Sequence, residues 1–171
     1  VFKEAVGDES IGRQRETLER LTASTGRWAD TMELYKSTAG DILDGDVQNE
    51  TLLRIGELAQ TRLDKPEEAI EYYQKALEAR PDERRALLAL EALYEKQSDP
   101  KSLLEILKKR EEAAESDNER KELIFRQAEL LRGKLANPAD AIERLEAALA
   151  IDVDERATSE LERLYTAEGR H

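Results

Sequence analysis

The chain has 171 residues, of which 39% are hydrophobic and 39% charged, with few glycines and prolines and no cysteine. This composition is typical of helix-rich proteins and excludes collagen-like chains, disulfide scaffolds and thiolate metal sites. The formal net charge of -12 opposes binding to nucleic acid and to anionic membrane surfaces, and it favours a partner of basic character. A role of this charge in solubility alone is the alternative.

Helical spacing of apolar residues and helix punctuation predict nine helices along the chain. Their approximate ranges are 9–24, 27–43, 47–63, 66–80, 83–96, 100–115, 118–135, 138–151 and 155–168. Aspartates stand where the first helix of each pair begins and can cap its free amides: Asp8, Asp46, Asp82, Asp117 and Asp154. The second helices begin near Trp28, Pro66, Pro100 and Pro138, and proline suits a first helical turn.

A repeat runs through most of these helices. Pro66 to Glu71 returns 72 residues later as Pro138 to Glu143, and Ala76-Leu77 returns as Ala148-Leu149. After Asp82 the second copy is one residue shorter, so the spacing becomes 71. Each copy contains four helices and is therefore a pair of helix hairpins of about 36 residues each, near the period of tetratricopeptide arrays.

The segment from Leu52 to Pro81 resembles a tetratricopeptide repeat. The residues that carry the resemblance are Leu52, Ile55, Gly56, Ala59, Ala69, Tyr73, Ala76 and Pro81. The small residues among them allow helix axes to approach closely, while the larger ones fill the space between the helices. The copy from Ile124 to Val153 is similar to the same pattern but weaker, and the other hairpins keep only its periodicity.

This resemblance implies an all-α fold, a right-handed α-solenoid of stacked antiparallel helix hairpins that forms one domain over residues 1–171. The hairpins are expected at about 9–44, 46–81, 82–116 and 117–152, followed by an unpaired helix at 154–168. The first and last residues resemble parts of further hairpins, so we expect the chain to be a fragment of a longer array. The compartment stays open, with the cytoplasm slightly favoured.

Residues for catalysis are scarce. There is no cysteine, the single histidine is the last residue, His171, and no glycine-rich phosphate loop is present. The acidic turn Asp44-Gly45-Asp46 lacks the ligand spacing of a calcium loop and is interpreted as a cap and turn. The sequence therefore predicts no enzymatic activity, cofactor, metal or small-molecule substrate.

The resemblance also implies a concave groove, lined by the first helices, that binds a peptide or helix of a partner protein. Helical spacing places Leu53, Leu88 and Phe125 at equivalent positions there, as a predicted exposed apolar ridge. The charged candidates beside them are Arg13, Arg20, Glu57, Arg85 and Glu129. These charges could instead pair with one another, which would favour a structural spacer; a regulatory repeat domain of a larger protein is the other alternative.

Overall fold

The computed structural model of the chain describes residues 8–167, and all the regular structure in this range is helical. The helices are α1 (Asp8–Thr25), α2 (Trp28–Ala39), α3 (Gly45–Thr61), α4 (Pro66–Ala79), α5 (Arg84–Gln97), α6 (Pro100–Glu112), α7 (Asp117–Gly133), α8 (Pro138–Ile151) and α9 (Glu155–Ala167). Each predicted helix is therefore present. The end segments 1–7 and 168–171, which include His171 and carry the expectation of a longer array, lie outside the described residues.

Prolines are the first residues of three of the second helices. Pro66, Pro100 and Pro138 each open a helix, where the missing N–H costs nothing. Asp99 caps α6 and Asn137 caps α8, each accepting a hydrogen bond from a backbone N–H of the first turn. In contrast, α2 ends at Ala39, four residues before its predicted end, next to Gly40, whose helix propensity is low.

Three of the predicted caps on the first helices are wrong. At the start of α5 the carboxylate of Glu83, rather than Asp82, accepts a hydrogen bond from the backbone N–H of Arg85 at 3.3 Å. The other two are in α3 and α7. The cap of α3 is Asp44 rather than Asp46, and its carboxylate accepts hydrogen bonds from the backbone N–H groups of Asp46 at 2.9 Å and Val47 at 3.1 Å. The cap of α7 is Ser116. Both helices begin slightly earlier than predicted, so the expected aspartates lie inside the first turn, where a negative charge still suits the helix dipole. The predicted cap at Asp154 of α9 is confirmed by its bond to the N–H of Arg156 at 2.9 Å.

The chain divides into two compact units, the first ending at Ala86 and the second beginning at Leu87, within α5. In the first unit α1 packs against α2, α2 against α3 and α3 against α4; in the second, α6 packs against α7, α7 against α8 and α8 against α9. The short connections between them make packed neighbours antiparallel. The core of the first unit includes Met32, Tyr35, Ile55, Leu58, Ala69, Tyr73 and Ala76. The core of the second includes Leu90, Leu107, Ile124, Leu131, Ala141, Leu145 and Leu161.

The two units differ at the place where the first helix crosses the second. In the first unit, α3 passes Tyr73 of α4 at Gly56, where an added Cβ would lie 2.8 Å from the tyrosine ring. The residues 72 positions later, Ala128 and Leu145, occupy this place in the second unit. The tyrosine ring that packs against glycine in the first unit is thus replaced by a leucine against alanine in the second.

Candidate functional site

The predicted apolar ridge is only partly present. Leu88 of α5 is 43% exposed, as expected, but Leu53 of α3 is 1% exposed and Phe125 of α7 is 4% exposed. The prediction that Leu53 and Phe125 form an exposed ridge is therefore wrong. Both lie on first helices as predicted, but each is buried.

An arginine of the following first helix covers Phe125, and another bridges the glutamates on either side of Leu53. The guanidinium of Arg156 stacks over the Phe125 ring, 4.2 Å from its centroid. In the first unit Arg85 bridges Glu50 at 2.6 Å and Glu57 at 2.7 Å, which lie about one turn on either side of Leu53 along α3. The arginine side chain must then cross the helix surface near Leu53. Helical spacing alone could not show this, because the arginines lie about thirty residues away in sequence.

The predicted charged residues of the first unit largely pair with one another. Glu57 accepts hydrogen bonds from Arg54 at 2.6 Å and from Arg85 at 2.7 Å. Glu50 is shared by Arg85 and Arg15, and Arg54 also binds Glu19 of α1 through its Nε at 2.6 Å. Arg13 and Arg20, the other two candidates, are exposed on α1. The structure therefore favours mutual pairing for Glu57 and Arg85.

The pKa values of these two groups reflect the network. Burial raises the pKa of Glu57, but hydrogen bonds from Arg85 and Arg54 together outweigh it and hold the pKa below its usual value. Burial also disfavours the charged form of Arg85 and so lowers its pKa. The hydrogen bonds to Glu57 and Glu50 outweigh burial, so that the pKa of Arg85 is raised overall. Both side chains thus stay charged at neutral pH, and each satisfies the other.

The second unit repeats part of this arrangement. Arg126 binds Glu91 at 2.5 Å, which matches the pair of Arg54 and Glu19 in the first unit. Arg156 contacts Glu122 at 3.3 Å, which matches the pair of Arg85 and Glu50. Two ion pairs therefore recur with the repeat that is visible in the sequence.

Glu129 is the exception. It occupies the position of Glu57, yet it is exposed and has no hydrogen-bond or ion-pair partner among the side chains of residues 12–166. Its potential partners are engaged elsewhere, since Arg126 binds Glu91 and Glu95, and Arg156 binds Glu122 and stacks on Phe125. One predicted site carboxylate is therefore available to an incoming group.

Glu129 lines a cavity of about 160 Å³ between α7, α8 and α9, here called the α7–α9 cavity. Its lining residues are Phe125, Ala128, Glu129, Arg132, Leu145, Arg156, Glu160 and Leu164. The volume resembles that of an engineered protein cavity of ~150 Å³ that admits benzene, so it has room for one side chain of a ligand. Four of the lining residues are apolar and four are charged, so apolar contact and polar groups meet in one place, as they do in binding sites.

The exchange of Tyr73 for Leu145 accounts for the space. In the first unit the Tyr73 ring fills this place, with its hydroxyl 3.0 Å from the Gln60 side-chain oxygen. In the second unit the shorter Leu145 leaves part of that volume open. The sequence analysis did not find this cavity, although the replacement of tyrosine by leucine between the two copies was the signal that could have indicated it.

Glu129 is the charged side chain of the α7–α9 cavity that has no ion-pair partner within residues 12–166. Of the other three, Arg132 contacts Glu160 at 3.2 Å, Glu160 also contacts Arg163 at 2.7 Å, and Arg156 contacts Glu122. The lining holds two arginines and two glutamates, so its formal charge is balanced. The cavity therefore offers an apolar wall and one carboxylate without an ion-pair partner.

A second cavity, of about 370 Å³, lies between α6, α7 and α8 of the same unit. Its lining residues are Leu104, Lys108, Leu131, Asp140, Glu143 and Arg144. Charged side chains outnumber apolar ones in this lining, which is less typical of a binding site. Within the described part of the chain, no group of three or more potential metal-binding side chains comes together. No helix in this part is both long and apolar enough to cross a membrane.

Comparisons with known proteins agree with the hairpin architecture. The family model of the tetratricopeptide repeat matches residues 51–85, the segment that carries the strongest motif, so the resemblance is confirmed. The fold is similar to a crystal structure of MamA, with a TM-score of 0.50 and 17% sequence identity, over 87% of this chain and 83% of that chain.

A mutant of MamA also aligns, with a TM-score of 0.48 and 19% identity, over 96% of this chain and 92% of that chain. No curated protein sequence matches the chain. At 17% identity the likeness to the first of these structures supports the fold alone: an all-helical array of helix hairpins.

Proposed function

We propose that this chain, in which residues 51–85 form a tetratricopeptide repeat, is a non-catalytic scaffold that binds a peptide or helix of a partner protein. The binding site is the α7–α9 cavity together with the exposed surfaces of α7 and α9 around it. Proteins built from helix hairpins commonly present such surfaces to partner segments. Phe125 and Glu129, two of the residues singled out in the sequence, both line this cavity.

One observation supports this proposal most directly. The crossing of the first helix and the second differs between the units: Tyr73 packs against Gly56 in the first, whereas Ala128 and Leu145 line a cavity beside Glu129 in the second. Glu57 of the first unit is paired with Arg85, and its counterpart Glu129 has no ion-pair partner within residues 12–166. This difference supports binding by the second unit.

A spacer role is the second candidate, and the first unit supports it. There the charged residues of α1, α3 and the start of α5 bind one another, so that Glu57 and Arg85 are not available to a partner without breaking these pairs. We therefore assign a structural role to this face of the first unit. The two roles are compatible within one chain.

The test is to select peptides on the immobilised chain from a displayed random library and to measure their binding by calorimetry. Hydrogen exchange should then show protection in α7 and α9. The double substitution Ala128→Gly with Leu145→Tyr rebuilds the filled crossing of the first unit, so it should abolish binding while the circular dichroism spectrum stays helical.

A matched control is Leu88→Ser, which removes an exposed leucine on α5 that does not line the cavity. We expect it to leave peptide binding unchanged. Failure to select any peptide, or protection confined to other helices, would refute the proposed site.

A further inference from the structure

We propose that the α7–α9 cavity recognises an arginine side chain of the partner segment, with its guanidinium paired to Glu129. This inference rests on the proposed function, because it specifies which side chain of the bound peptide enters the cavity.

The first unit shows what a glutamate at this position binds. Glu57 is held by two guanidinium groups, Arg54 at 2.6 Å and Arg85 at 2.7 Å. Glu129 lies at the same position of the repeat, but both equivalent arginines of the second unit have other partners. The local backbone and neighbours therefore suit a carboxylate–guanidinium pair whose cation is missing from the chain itself.

The space beside Glu129 suits the stem of such a side chain. Phe125, Ala128, Leu145 and Leu164 provide apolar contacts in a volume of about 160 Å³. Arginine packs its methylene groups on apolar surface while its planar head keeps its hydrogen bonds. A short apolar side chain would fill the space but leave the carboxylate unused, whereas an acidic one would be repelled by it.

Arginine fits better than lysine for a geometric reason. A guanidinium can donate two parallel hydrogen bonds to one carboxylate and stacks on planar groups, as Arg156 already does on Phe125. Lysine offers a point charge that is more strongly hydrated. The net charge of -12 further favours the approach of a basic segment and increases its association rate.

Peptide selection on the full chain tests this proposal. Peptides selected from a random displayed library should carry arginine at one fixed position. The same selection on Glu129→Gln should lose that preference, because the amide keeps the size of the side chain but removes its charge. The matched control Glu57→Gln, at the equivalent position of the first unit, should retain it.

A synthetic peptide from the selection then provides the quantitative test. Replacing its arginine with citrulline, which keeps the shape and removes the charge, should weaken binding to the wild-type chain by about tenfold or more, the range of charge-pair couplings at interfaces. On Glu129→Gln the arginine and citrulline forms should bind about equally. Replacement by lysine should give an intermediate affinity.

The outcomes separate this inference from the proposed function. If peptides bind and the Ala128→Gly, Leu145→Tyr variant abolishes binding, but no arginine is preferred or the preference survives in Glu129→Gln, the arginine assignment is wrong and the binding site stands. If no selected peptide depends on the cavity, both are wrong.

Discussion

At the scale of single residues, the contact between Gly56 and Tyr73 sets how closely α3 and α4 approach. A Cβ added to residue 56 would lie 2.8 Å from the Cε1 atom of the tyrosine ring. This distance is too short for a Cβ contact. Tyr73 is itself buried, and its hydroxyl binds Gln60, so the ring has little freedom to move away. The small residue predicted from the repeat pattern is therefore required by this packing.

We expect Gly56→Ala to lower the free energy of unfolding by about 1–3 kcal/mol, the usual cost of overpacking a core. Urea unfolding followed by circular dichroism measures it. Gly133→Ala, at the end of α7, is the matched control, because a Cβ there meets nothing within 4 Å. It should be neutral or stabilising by about 0.5–1 kcal/mol; a similar loss in both variants would contradict the packing argument.

Because of the raised pKa of Tyr73, we expect the chain to lose stability at alkaline pH. Burial, with a further contribution from the charge of Glu57, raises this pKa to about 12 from the usual 10.0. The folded state thus holds the phenol proton more tightly than the unfolded state, so its stabilising contribution is complete below pH ~10 and disappears as the pH rises to about 12.

Urea unfolding over this pH range measures the effect. Burial raises the pKa of Tyr35 as well, so the wild-type chain alone cannot isolate Tyr73. The variant Tyr73→Phe should show a shallower decrease in stability with rising pH. An equally steep decrease in the variant would show that Tyr73 does not contribute.

At the scale of the helices, capping depends on details of one or two residues. Asp44 accepts two backbone hydrogen bonds at the start of α3, while Asp46, two residues later, is highly exposed and pairs with Arg80. Only Asp44 satisfies amides that the helix leaves without internal partners. The two aspartates therefore have different energetic roles despite their closeness in sequence.

We expect Asp44→Ala to destabilise the chain by about 1 kcal/mol, the typical cost of losing an N-cap. Asp46→Ala should cost less than about 0.5 kcal/mol, because exposed ion pairs contribute little. Urea unfolding of both variants distinguishes them. If Asp46→Ala lost more stability than Asp44→Ala, Asp46 would be the cap of α3, as predicted from the sequence.

At the scale of the whole molecule, paired carboxylates determine the response to acid. Hydrogen bonds from Lys36 and Lys65 lower the pKa of Glu68, and those from Ser102 lower the pKa of Asp99. The pKa of Glu57 is lowered in the same direction by its arginines. Such groups lie in both units.

Each of these carboxylates holds its proton less tightly in the folded state than in the unfolded state. Their contribution to stability is therefore present above the usual pKa of the group, 4.5 for the glutamates and 3.8 for Asp99, and is lost as the pH falls below it. We expect the urea midpoint to decrease on acidification below pH ~4.5 and to decrease less in Glu57→Gln. A midpoint that does not change with acid would contradict this expectation.

The sequence by itself determined the helices, the hairpins and the repeat. Prolines, small residues and apolar spacing act over one to four residues, so their effects on Pro66, Gly56 or Ala76 can be read without a structure. The spacing of 72 residues also placed Glu129 at the position of Glu57. Local rules and periodicity therefore identified the fold and two residues that line the candidate site, Phe125 and Glu129.

Only the tertiary structure decided which side chains are accessible. Leu53 and Phe125 face away from their own hairpin core in the helical pattern, yet both are buried. The guanidinium of Arg156, about thirty residues later, stacks over Phe125, and Arg85 bridges the glutamates on either side of Leu53. The α7–α9 cavity likewise depends on the volume left by Leu145 where Tyr73 stands in the other copy. Burial and cavity volume are sums over contacts between distant residues, and periodicity along one helix contains no information about them.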